Sequence, residues 1–276
     1  MSNIKVKTWC IFLGHQRLMF LRGSVQKSPT SQDMVSLSAW ARYTTHMNIV
    51  KTNSSEAAIR RLTNILNAAI YLHKHIVWFV SGGSAVEIAV AVQKQLKSTD
   101  GLLILQADER FGPVDHPNSN WLKLKQAGFD PKKGANSPIL NGKDLRHTAA
   151  EYNLMVESAL AKSNFTVALL GIGPDGHTAG IMPRSQAVVS SDYVYGYEWA
   201  DFMRITITPQ VFPRIHTAIV YAMGDAKKAA LEKLTQDNIA ISSEPAQVLK
   251  RVEDVWVYND QIGEPEHPAG YVEERV

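Results

Sequence analysis

A single doubly wound α/β domain on a mostly parallel, Rossmann-like sheet is the fold class that the sequence predicts. Two patterns carry this expectation. Short apolar runs recur along the chain, uncharged and partly β-branched, as in strands buried on both faces. Longer stretches with apolar residues at helical spacing lie between them, and such alternation builds a parallel sheet covered by helices. With 276 residues, 45% of them hydrophobic, the chain can bury a substantial core.

Taken in order, Ser54-Ser-Glu-Ala-Ala opens a helix with a capping serine. Ile59, Leu62, Ile65, Leu66, Ala69 and Ile70 then recur on one helical face. Strands are expected at 77–80, 102–105, 165–170, 205–208, 218–222 and 255–258, and helical stretches at 85–96, 148–160, 226–235 and 245–251.

Residues 47–260 thus read as one domain, with a Gly/Pro-containing tail at 261–276 and an extension at 1–46. In the first 45 residues Asp33 is the only acid, against six basic residues and frequent serine, a composition shared with organelle-targeting peptides. Ile4-Lys-Val-Lys7 and Trp9-Cys-Ile-Phe-Leu13 make no clean amphipathic helix. The segment therefore reads as a disordered extension, or as sequence ahead of a start at Met47.

Net charge is +3, too mild to argue for nucleic acid or a membrane surface as partner. No apolar run approaches membrane-spanning length. The single cysteine, Cys10, excludes an intramolecular disulfide and a multi-cysteine metal site, so a reducing, cytoplasmic compartment is expected.

Ligands of open α/β sheets bind outside the carboxyl ends of the strands, and four suggestive segments are expected there. Ser81, Gly82, Gly83 and Ser84 join a strand to a helix and can offer backbone amides and hydroxyls to a phosphate or sugar. They lack the lysine and spacing of a nucleotide P-loop. Gln106-Ala-Asp-Glu-Arg110 follows the next strand, with His116, Asn118, Ser119 and Asn120 in the loop beyond. It is either a solvated ion-pair cluster, or a site in which Asp108 fixes a hydroxyl or an imidazole while Arg110 binds an oxyanion.

The most informative segment is Gly171-Ile-Gly-Pro-Asp-Gly-His177, directly after the strand 165–170. Its glycines permit a tight turn and close approach of backbone N–H groups to an anion. Asp175 and His177 then pair a carboxylate with the side chain best suited to move protons near neutral pH. The letters also spell G-x-G-x-x-G, but a dinucleotide site needs a long helix after the third glycine, and Pro183 interrupts the segment. The fourth segment combines Arg204, entering the strand 205–208, with Lys227 in the first turn of the helix after Gly224. A lysine there opposes the helix dipole, which makes sense if an anion is held nearby.

These motifs, in this order, resemble the 6-phosphogluconolactonase family, which shares its fold with glucosamine-6-phosphate deaminase. The resemblance rests on Ser81-Gly-Gly-Ser84, Asp108-Glu-Arg110 with Asn118-Ser-Asn120, Gly171 to Ala179, Arg204-Ile-Thr-Ile-Thr208, Gly224-x-x-Lys227 and Glu244-Pro-Ala246. It spans roughly residues 47–259. The chain departs from the family at Gly180-Ile-Met-Pro183, at Met203 before the arginine, and at Glu244, where leucine is common. Pro174 stands where the deaminases carry asparagine, and no glutamate follows His177 until Glu198.

The resemblance implies hydrolysis of a phosphorylated sugar lactone, a step of the oxidative pentose phosphate pathway, with no metal or organic cofactor. It implies that His177 takes a proton from the attacking water, Asp175 positions the imidazole or a substrate hydroxyl, Arg110 meets the oxyanion or nascent carboxylate, and Asp108 organises the pocket. The phosphate would sit among the 81–84 loop, Asn120, Arg204 and Lys227. Two other readings are a glucosamine-6-phosphate deaminase and a sugar-phosphate-binding regulator, the latter requiring a DNA-binding module that the first 46 residues do not resemble.

Overall fold

The computed structural model describes residues 46–265. The expected N-terminal extension, His46 apart, and the tail beyond Pro265 lie outside the described residues.

Among the described residues eight strands form one sheet: β1 (His46–Lys51), β2 (Ile76–Val80), β3 (Leu102–Gln106), β5 (Ala135–Ser137), β6 (Phe165–Leu170), β9 (Thr217–Ala222), β10 (Asp254–Asn259) and β11 (Glu264–Pro265). Their order is β11-β1-β10-β9-β6-β2-β3-β5, and every neighbouring pair is parallel. Side chains alternate between two cores, as the pleat requires. In β2, Val77 and Phe79 enter one core, and Ile76, Trp78 and Val80 the other.

One core is closed by α1 (Glu56–Tyr71), α2 (Ala85–Gln95) and α3 (Asn120–Gln126), through residues such as Leu62, Leu66, Ile88 and Leu124. The opposite core is closed by α4 (Leu145–Lys162) and α5 (Lys228–Leu234), through Tyr152, Val156 and Leu231. The sheet is therefore doubly wound. From β2 the chain moves outward to β3 and β5, whereas from β6 it moves the other way to β9 and β10. The crevice for a ligand at such a fold lies where the direction reverses, between β2 and β6.

A second sheet was not anticipated. The expected strand 205–208 is β8 (Met203–Ile207), which does not join the parallel sheet. It lies between β4 (Asp108–Arg110) and β7 (Val194–Glu198) as the middle of an antiparallel three-stranded sheet. Ile205 and Ile207 still face the core, so the alternation was right and the partner strand was not.

Local details also differ. The serine before α1 makes no side-chain cap bond; instead the Ser54 hydroxyl accepts the Glu56 N–H at 3.3 Å. Lys227 closes a 3-10 turn (Asp225–Lys227) immediately ahead of α5 rather than lying in its first turn. Pro245–Arg251 is 3-10 and not α-helical.

Candidate active site

The loop after β2 runs past the start of α3. Gly83 has φ +64°, and a Cβ on Gly82 would fall on the Asn120 side-chain amide. Both glycines are thus required by geometry, one for its backbone and one for close approach. Ser84 precedes α2 with no capping hydrogen bond, and its hydroxyl donates to the Tyr221 carbonyl at 3.3 Å. Ser81 is buried, and its Oγ has no partner among the described residues.

Asp108 and Glu109 point to opposite faces of β4, and their environments differ accordingly. Glu109 is wholly buried, and its carboxyl accepts five hydrogen bonds. Oε1 takes the N–H groups of Arg110 (2.7 Å) and Asn120 (2.6 Å). Oε2 takes Gln106 Nε2, Ser119 Oγ and Trp121 N–H, each at 2.9 Å. An acidic group receiving the first N–H groups of α3 suits the orphan donors and positive end of that helix. Glu109 is an anchor that ties β4 to α3. Sequence reasoning missed it because three of its five partners lie ten to twelve residues away.

Asp108 faces the cavity instead, with Asn120 Nδ2 3.1 Å from its Oδ2. Burial pushes its carboxyl above the ordinary value and Glu109 adds to this, while Arg110, Arg204 and His177 pull the other way.

After β6 the glycine turn brings its acid and base together. His177 Nδ1 lies 2.5 Å from Asp175 Oδ1, and the His177 N–H reaches the same oxygen at 3.2 Å. The turn is held by Gly173 N–H to His177 O (2.8 Å), Thr178 Oγ1 to Gly171 O (2.8 Å) and Ala246 N–H to Gly176 O (2.8 Å). Gly176 has φ +79° and leaves no room for a Cβ beside the Glu244 carboxyl. Desolvation pulls Asp175 upward, but the hydrogen bond and charge of His177 outweigh it and hold the carboxyl below its usual value.

Two arginines face each other across the small sheet, Arg110 on β4 opposite Arg204 on β8. Both guanidinium groups lie over the Phe202 ring, at 5.5 and 5.9 Å from its centre. Like charges placed directly opposite on paired strands destabilise a sheet. Arg110 Nη1 donates to Asn120 Oδ1 at 3.2 Å, and Arg204 Nη2 to both carboxylate oxygens of Asp201, at 2.9 and 2.8 Å. The Nε–H of each is buried without a partner among the described residues. Lys227 is half-buried, and desolvation lowers its ammonium pKa while Asp260 raises it.

These parts meet at a cavity of about 220 Å³. Ser81, Gly82, Gly83 and Ser84 line it beside Asp108, Arg110 and Asn120, together with His177, Arg204 and Lys227. Asp175 does not line the cavity and stands behind the imidazole. Ile172, Pro174 and Ala179, for which no site role was expected, also contribute to the wall. Arg204 lies on the small sheet rather than at the carboxyl end of a parallel strand. His116 is a supporting loop residue, its Nε2 2.8 Å from the Arg110 carbonyl oxygen. Glu198, the first glutamate after His177, lines a different cavity with Arg184 and Trp199. Among the described residues no three His, Cys, Asp or Glu side chains are grouped to hold a metal ion, and no helix is long and apolar enough to cross a membrane.

A family model described as "Glucosamine-6-phosphate isomerases/6-phosphogluconolactonase" matches residues 50–257. The chain is 26% identical over 203 residues to a 6-phosphogluconolactonase of Synechocystis sp., covering 68% of this chain and 84% of that protein. It is 30% identical over 194 residues to a probable 6-phosphogluconolactonase of Schizosaccharomyces pombe, covering 62% and 75%. The crystal structure of a 6-phosphogluconolactonase from Thermotoga maritima matches with a TM-score of 0.67 at 18% identity, covering 78% of this chain and 99% of that one, and shares the fold.

Proposed function

The chain belongs to the family of glucosamine-6-phosphate isomerases and 6-phosphogluconolactonases, and on that premise we propose that it hydrolyses 6-phospho-D-glucono-1,5-lactone to 6-phospho-D-gluconate, in the oxidative pentose phosphate pathway of the cytoplasm. One observation carries this reading. His177, backed by Asp175, opens onto the same cavity as two arginines, a lysine and the glycine-serine loop at the start of α2. A proton-transfer group and several anion donors therefore share one space.

With Asp175 accepting from Nδ1–H, the Nε2 of His177 is left as the basic nitrogen. Water attacks the lactone C1 and gives its proton to Nε2. The tetrahedral oxyanion is stabilised by Arg110, whose Nε–H has no partner among the described residues. The bond from C1 to the ring oxygen then breaks, and the imidazolium returns the proton to that oxygen as it leaves. Asp108 organises the pocket as an acceptor for a sugar hydroxyl. The 6-phosphate sits among the 81–84 loop, Asn120, Arg204 and Lys227, where a helix N-terminus and cationic side chains favour a dianion.

The test is the hydrolysis of freshly generated 6-phosphoglucono-δ-lactone, with the spontaneous rate subtracted. Acceleration by the wild type that disappears in His177→Asn supports the proposal. Failure of well-folded protein to accelerate the reaction refutes it, and ammonia release from glucosamine 6-phosphate then tests the deaminase reading.

A further inference from the structure

The hairpin between β7 and β8 carries an acid that does not belong to the scheme above. Asp201 stands at its tip, about half exposed, and holds Arg204 Nη2 with both carboxylate oxygens. Asp201 Oδ1 also accepts the Phe202 N–H at 2.9 Å, which directs the carboxylate towards the guanidinium. The arginine itself is 7% exposed and lines the cavity, and its Nε–H has no partner among the described residues. Desolvation raises Asp201, but the hydrogen bond and charge of Arg204 outweigh it and keep the carboxyl below its usual value.

An arginine committed to anion binding normally presents its planar fork to the incoming oxyanion. Here one terminal nitrogen of that fork is already occupied by an anion supplied by the protein. The opposing Arg110 has no hydrogen bond to a carboxylate among the described residues; its terminal nitrogen meets the Asn118 carbonyl and the Asn120 amide oxygen, and the Asp108 carboxyl acts on both arginines through charge alone. One of two facing guanidinium groups is thus gripped directly by a carboxylate and the other is not.

We propose that Asp201 is an intramolecular competitor for the anion at Arg204, which weakens the hold on phosphate and speeds departure of the anionic product. This rests on the reading of Arg204 as an anion-binding residue. Ring opening adds a carboxylate to a molecule that already carries a phosphate, so the product is more anionic than the substrate. A site lined by Arg110, Arg204 and Lys227 holds such a product too well unless part of its charge is offset. Asp201 provides that offset at the solvent edge, where water can reach it.

The experiment measures the affinity of the full chain for inorganic phosphate by titration calorimetry at low salt, for wild type, Asp201→Asn and Asp201→Ala. Asparagine keeps an acceptor oxygen for Arg204 but removes the charge. Both variants are expected to bind phosphate more tightly, by about threefold to tenfold for one half-exposed charge removed near the anion. The gain should shrink as salt is raised. Unchanged or weaker binding in both variants overturns the inference and makes Asp201 a strut that orients the arginine. Absence of phosphate binding in all three proteins overturns it as well. Lactone turnover by the wild type is read separately, so failure of the lactonase reading is distinguishable from failure here.

Discussion

Gly173 lies so close beneath the His177 imidazole that a Cβ on it would fall on the ring, at Cε1 and Nδ1. The orientation of the base is therefore set by the absence of a side chain as much as by the Asp175 carboxylate. Gly173→Ala should displace the imidazole while leaving the sheet intact. The expected result is a fall in kcat of about 10²-fold, the scale of a misplacement near 1 Å, with an unchanged far-ultraviolet circular dichroism spectrum. Near-normal turnover would show that the ring has room to move without loss.

His177→Asn removes the proton acceptor and keeps a polar side chain of similar reach. Turnover of the phosphorylated lactone should drop by about 10²- to 10⁴-fold, with KM little changed. Asp175→Asn tests the partner. The Asp175 carboxyl is held below its usual value, so the pair adds stability at neutral pH and loses it as the pH falls through that depressed value. Acid unfolding of Asp175→Asn should accordingly show a shallower dependence on pH below about 4, the ordinary carboxylate range.

Asp108 has the opposite sign. Its folded pKa lies above the unfolded one, so the folded protein binds this proton more tightly and stability rises as the pH falls towards the carboxylate range. Above the raised pKa the ionised carboxylate is a net cost of burial. Asp108→Asn should therefore raise the melting temperature at pH 7, by about 2–4 °C if 1 kcal/mol is recovered, while lowering turnover. A variant that is both less stable and less active would make Asp108 a structural residue.

Glu109→Gln is expected to be severe although the residue does not line the cavity. An amide NH₂ in place of either oxygen would face at least two of the five donors that Glu109 now satisfies. Leaving buried donors without an acceptor costs about 2–5 kcal/mol. Chemical denaturation should show the loss as a lower midpoint with an unchanged slope.

The parallel strands were legible because burial on both faces writes itself into composition. Phe165–Leu170 contains no charge, and its expected and observed bounds coincide. The small sheet was hidden for the converse reason. Asp108-Glu-Arg110 is wholly charged, and it forms a strand because Glu109 is saturated with hydrogen bonds and Asp108 and Arg110 face a polar cavity. No local pattern reports partners contributed by Ser119, Asn120 and Trp121. The cavity residues were legible as glycine-rich turns and isolated charges at strand ends. Asp201 was not, since an acid three residues before an arginine in a hairpin is ordinary until its distance to the guanidinium is known.

The strands β9, β6, β2 and β3 are consecutive neighbours in the sheet, and they lead respectively to Lys227, to His177, to the 81–84 loop and to Asp108. Neighbouring strands are spaced by about 4.8 Å. The lateral distance from the His177 turn to Lys227, to the 81–84 loop and to Asp108 is thus stepped in units of one strand, and the sheet acts as a ruler. Side-chain substitutions can shade those steps by an ångström or two on this scale, but a longer substrate would need new loop residues. The reach of the site belongs to the backbone.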